Sequence, residues 1–226
     1  MDLEVKSVLT YDDIIKNEAI NEYIKAADAS LLALGFTEHS KAHVAKCAQT
    51  SAYILETLNF DARTVELAKI AAYLHDIGNL VNRIEHSQSG AVMAFRILDN
   101  LGMPASEIAT VVTAIGNHDE GVGVPVSDVS AALILADKSD VRRSRVRNSD
   151  FASFDIHDRV NYSVESSRLY FSEDKKNIIL ELKIDTSISS IMNYFEIFLE
   201  RMLLCRKAAD KLGLGFDLII NGQKFM

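Results

Sequence analysis

The chain has 226 residues, of which 48% are hydrophobic and 25% charged, and it carries a net charge of −8. That length supports one sizeable core, or one domain with a small appendage. The acidic balance argues against broad nucleic-acid binding, which needs a basic footprint, and no apolar run reaches the roughly 18 residues that span a bilayer.

The first stretch, MDLEVKSVLTYDDIIKNEAI, lacks the apolar segment of a secretory signal, so the expected location is cytoplasmic. Thr10 is a plausible cap for YDDIIKN. A longer helix is expected over 17–34, ending near Gly35. The next, over 38–58, puts Val44, Cys47, Ala48, Ser51, Ile54, Leu55 and Leu58 on one face. Asp61 can cap the helix ELAKIAAYLHDIGN, whose Leu67, Ile70, Ala71 and Leu74 have the spacing of a buried face and whose end is signalled by Gly78. A helix over 87–101 follows, and Pro104 suits the start of another that reaches His118. DEGVGVPVS reads as a loop, and helix returns over 127–140.

Residues 1–160 thus read as almost all helix, and the pattern changes near 165. SRLYFSEDKKNIILELKID reads as a hairpin, a long amphipathic helix is expected over 187–211, and FDLIINGQKF reads as a last strand. The expected fold is mostly α: a helical domain over 1–160 with a small α+β appendage, 161–226, packed on it. The apolar surface of the long helix suits either core burial or a homo-oligomer interface.

The chemistry concentrates in histidines and acids. His39 and His43, the doublet His75–Asp76, then His86, then His118–Asp119, and finally Asp137 in ILADKSD, lie on or at the ends of expected helices. A buried Asp beside an imidazole is costly unless it is paired or bound to metal. Imidazole with carboxylate suits Mn, Fe, Zn, Ni or Mg, one or two ions per chain, and a helical bundle can aim such residues at one core site. Cys47 and Cys205 have no Cys-x-x-Cys spacing and read as free buried thiols. His157, in DIHDRV, reads as structural. Arg142, Arg143, Arg145 and Arg147 suit either phosphate recognition or pairing with Asp140, Asp150, Asp155 and Asp158.

This order resembles the HD-domain metal-dependent phosphohydrolase superfamily, whose signature is a His, a His-Asp doublet and a late Asp on helices. The run EHSQSG, IGNHDEGVGVP, LILADKSD is similar to the order of the HD-GYP branch, and the resemblance covers about 38–145. It implies that His43, His75, Asp76 and Asp137 bind a first metal, and that Asp76 bridges to a second held by His86 and His118. Asp76, His86, His118 and Lys138 are then read as the catalytic group, with His39, Arg83, Lys138 and Arg142 as contacts for a small phosphorylated substrate. Asp119 stands where the branch has a second His, Asn79 where a Lys is common, and GVGVP replaces its namesake triplet, which argues against a cyclic-dinucleotide specialist. The implied function is hydrolysis of a nucleotide or other small phosphate ester by metal-activated water. The alternatives are a metal- or nucleotide-binding regulator without turnover, and a di-iron oxygenase-type relative.

Overall fold

Thr10 caps the first described helix of the computed structural model, which describes residues 8–226. Its hydroxyl accepts from the Asp13 amide while the Asp13 carboxylate accepts from the Thr10 amide, a reciprocal cap for α1 (Tyr11–Lys16). Asn17 then caps α2 (Glu18–Ala33). The centre of the bundle is α3 (Lys41–Thr57), α4 (Ala62–Leu74) and α7 (Asp128–Lys138). Every residue from Val129 to Ala136 is buried, as a helix that is apolar on all sides must be. The helices α5 (His86–Asn100) and α6 (Ala105–Gly116) pair, with α6 alongside α4 and α5 against the turn that follows α4.

The link from α4 to α5 fixes the site. After α4 the chain makes a 3-10 turn, Ile77–Leu80, that crosses the start of α5 at backbone contact. A Cβ on Gly78 would fall 2.0 Å from the His86 carbonyl oxygen and 2.4 Å from the Gly90 nitrogen. Gly78 therefore does more than end a helix: its missing side chain lets the doublet approach His86.

Beyond α7 the structure departs from continuous helix. Residues 141–155 are irregular, with 3-10 turns at Arg143–Arg145 and Phe151–Ser153. This run has no apolar periodicity, and Asn148 and Asp150 accept from the amides of Asp150 and Ala152, bonds that compete with helix. The short α8 (Ile156–Ser163) leads into β1 (Val164–Phe171) and β2 (Asn177–Ile184), the expected hairpin. Next come α9 (Ile191–Lys211), β3 (Gly215–Ile220) and β4 (Gln223–Lys224).

The sheet order is β1-β2-β3-β4, with β2 and β3 parallel and joined by α9. The expected last strand is two, because Asn221 and Gly222 take positive φ (52° and 81°) and turn the chain back. Ile178, Leu180 and Leu182 on β2 and Phe216, Leu218 and Ile220 on β3 bury alternate side chains in the same core cluster as α3, α4 and α7. None of the described helices is long and apolar enough to cross a membrane.

Candidate metal centre

Four imidazoles converge with two carboxylates at the inner end of the bundle. His75 closes α4, His86 opens α5, His118 follows α6, and His43 stands in the first turn of α3. Each is held through Nδ1. His75 Nδ1 donates to the Ala72 carbonyl (2.7 Å), His86 Nδ1 to Arg83 (3.2 Å) and His118 Nδ1 to Ile115 (2.6 Å), in each case three residues earlier. His43 Nδ1 instead donates to Asp140 Oδ2 at 2.8 Å. These bonds place a proton on each Nδ1 and turn every Nε2 toward a common point.

The carboxylates meet those nitrogens. Asp137 Oδ1 is 3.3 Å from His43 Nε2 and 3.7 Å from His75 Nε2. Asp76 spans both halves of the cluster: Oδ2 lies 3.2 Å from His75 Nε2 and 3.6 Å from His43 Nε2, while Oδ1 lies 3.6 Å from His86 Nε2. His86 Nε2 and His118 Nε2 stand 3.2 Å apart. The rings of His39, His43, His75, His118 and His86 form an unbroken edge-to-face series.

The family model described as "HD domain" matches residues 41–142, the span that contains all six of these residues. That match spans a little under half of the chain. A relative that is 26% identical over 214 residues, covering 84% of this chain and 80% of its own length, is an uncharacterized protein of Methanocaldococcus jannaschii. The HD domain belongs to the metal-dependent phosphohydrolase superfamily, and the match ends ahead of α8, α9 and the sheet.

The HD-domain residues fit a divalent cation on three grounds. His75 Nε2 and Asp76 Oδ2 are buried without a hydrogen-bond partner among the described residues, an expensive arrangement for a protein to keep. Donor atoms of His43, Cys47, His75 and Asp137, and separately of His75, Asp76 and His118, lie within 4.8 Å of one another. The field also favours positive charge: burial opposes a charged imidazole at His75, yet Asp76 and Asp137 outweigh it and push its pKa up to about 10. His86 and His118 are held below the ordinary histidine value, chiefly by burial. Within the HD cluster Cys47 is the weakest donor, because burial and then Asp137 push its thiol well above the usual value and keep it protonated.

The surroundings of this site include Lys46, Glu120 and Arg201, which sequence reasoning did not single out, beside Asp140, Lys138 and Arg142, which it did. Asp140, which orients His43, also takes Lys46 Nζ (2.6 Å) and Arg142 Nε (3.0 Å). Lys138 is buried between Asp137 Oδ2 (2.8 Å) and Glu120 Oε2 (2.6 Å). Burial disfavours its ammonium, but the two acids more than compensate and hold its pKa above the usual value. That contact leaves Asp137 Oδ1 for the centre. Glu120 in turn accepts from Arg201 Nε of α9 at 2.7 Å.

A cavity of about 330 Å³ adjoins the HD centre. His39 and Arg83 line it: the His39 ring is 5.6 Å from that of His43, and Arg83 Nη1 lies 3.1 Å from both ring nitrogens of His86. Lys138 and Arg142 do not line it; Lys138 is enclosed by its two acids, and Arg142 is paired with Asp140 and Glu38. Of the arginine run, Arg143 donates to the Tyr162 carbonyl, Arg147 pairs with Asp28, and Arg145 is buried, donating to the carbonyls of Glu38 and Asp140. His157, with Asp155, Asp158 and Asn161, forms part of the cavity wall.

Proposed function

We propose that this chain is a metal-dependent hydrolase of a nucleotide or another small phosphate ester. The observation that carries the reading is Asp76, whose two oxygens face the two halves of the histidine cluster. In this reading His43, His75, Asp76 and Asp137 hold one divalent ion, and His86 and His118 with Asp76 hold a second. When bound, such an ion polarises the phosphoryl oxygens and acidifies a water.

The chain's own residues do the rest. The Nδ1 bonds fix which nitrogen carries the proton and keep the rings aimed. Lys138 neutralises the outer oxygen of Asp137. Arg83 and His39 stand in the adjoining cavity, where an anionic ester can meet them. The reading extends to a cytoplasmic protein with 161–226 as an appendage on the HD domain, and to self-association through α9.

The test is elemental analysis of protein purified without added metal, run beside a phosphate-ester panel with and without chelator. One or two transition metals per chain and chelator-sensitive phosphate release are expected. Bound metal without turnover on the panel would overturn the hydrolase and leave a regulator.

A further inference from the structure

The cavity beside the metal centre is closed by parts of the chain outside the HD match. Its wall includes Phe36 of the α2–α3 link, Asp158 and Asn161 of α8, and Phe198 and Arg201 of α9. At about 330 Å³ it lies at the small end of the roughly 300–1,000 Å³ typical of small-molecule pockets.

Arg201 is the cavity cation best prepared for an anion. Its Nε is anchored on Glu120 Oε1 at 2.7 Å, and its guanidinium carbon sits 4.5 Å from the centroid of the Phe198 ring. Its two terminal nitrogens make no hydrogen bond among the described residues, whereas Arg145 spends its Nε and Nη1 on carbonyls. Glu120, the acid beside it, is already answered by Lys138. An anchored fork with free ends suits bidentate phosphate binding.

The α8 wall has the opposite character. Asn161 Nδ2 donates one of its two hydrogens to the His157 carbonyl at 2.9 Å, and its amide oxygen remains as an acceptor. Asp158 offers carboxylate oxygens, one of them shared with Asn148 Nδ2 at 3.3 Å. These acceptors, beside the His157 ring and the second Asn161 Nδ2 hydrogen, suit a ligand rich in hydroxyl groups, which both donate and accept.

Resting on the phosphohydrolase reading above, we propose that Arg201 binds the substrate phosphate and that Asp158 and Asn161 bind the group esterified to it. The substrate class is then a phosphate monoester of a hydroxyl-rich, sugar-like alcohol, small enough for this cavity.

Calorimetric titration of the Mn²⁺-loaded full chain with inorganic phosphate and with ribose 5-phosphate tests this. Arg201→Ala should weaken both probes about tenfold or more and Arg201→Lys less, with Mn²⁺ affinity unchanged. Asn161→Ala should weaken ribose 5-phosphate several-fold and leave inorganic phosphate alone. Arg168→Ala, on the exposed edge of the sheet, should change neither. Phosphate affinity in folded Arg201→Ala and Arg201→Lys within twofold of the parent would overturn the proposal. So would Mn²⁺ affinity falling together with phosphate, since Arg201 would then act on the metal centre. Equal loss of both probes in Asn161→Ala would overturn the assignment of the α8 wall. Inorganic phosphate is not turned over, so its titration reads binding alone, and a parent chain that binds both probes but releases no phosphate from ribose 5-phosphate would sink the hydrolase reading alone.

Discussion

His86 Nε2 and His118 Nε2 face each other across 3.2 Å, while the Nδ1 of each donates to a carbonyl three residues earlier. Two lone pairs that close repel unless a cation lies near both. His118→Ala should therefore lower bound Mn²⁺ by one ion per chain, or weaken its affinity at least about tenfold, while the protein stays folded. Metal content measured by elemental analysis and unchanged from the parent would sink the second site.

Asp140 lies outside the ligand set yet fixes the His43 ring. Its pKa is held far below the usual carboxylate range: burial opposes the charge, but His43, Arg145 and Lys46 together prevail. Asp140→Asn keeps the shape and removes the charge that holds the tautomer. Metal affinity should fall about 10- to 100-fold, read by competition with a chromophoric chelator. Lys46→Met, which touches the same carboxylate from the half-exposed side, should have a much smaller effect.

Gly78 is the narrowest point between the doublet and α5. Gly78→Ala should cost about 1–3 kcal/mol or more, because the atoms in the way are backbone. It should also loosen metal binding by pushing His75–Asp76 away from His86. Gly121→Ala meets only the end of the Asp119 side chain, at 3.9 Å, and serves as the control. Thermal unfolding of the pair gives the comparison; equal midpoints would refute the close-approach argument.

Glu107 and Arg63 form a two-pronged ion pair between α6 and α4, with Arg63 Nε 2.7 Å from Oε1. Hydrogen bonding to Arg63 depresses the Glu107 pKa. The sign follows: the folded state prefers the ionised form, so the stabilisation is complete above the ordinary glutamate value and is lost as pH falls through the depressed one. Glu107→Gln should be less stable than the parent near neutral pH, by about 1 kcal/mol for this part-exposed pair, and the difference should close in acid. Urea midpoints across that range would show it; a gap that widens in acid would contradict it.

The helical scaffold was readable because its signals are local. Leu67, Ile70, Ala71 and Leu74 mark the buried face of α4, and His75–Asp76 breaks that apolar run with groups that need a partner. Asp140 was harder, because it sits among arginines and reads as their counter-ion, whereas its contact with His43 spans 97 positions. Glu120 and Arg201, 81 positions apart, carry no local mark of their pairing. Asn221–Gly222 was a visible turn signal inside what read as a single strand. The arginines after Asp140 show the limit of composition: the same four residues suit phosphate or carbonyls, and here most of them tie irregular chain to the bundle.

The parallel pairing of β2 with β3 has a consequence for the order in which the protein is made. His43 through Asp137 leave the ribosome well before Arg201, and α9, which packs on α7 and on β3, can be seated only after them. The ligand cluster can therefore gather while one wall beside it is still missing. On the proposed reading of Arg201, selectivity for what enters is then the last property the nascent chain acquires, and metal can enter before that wall is built.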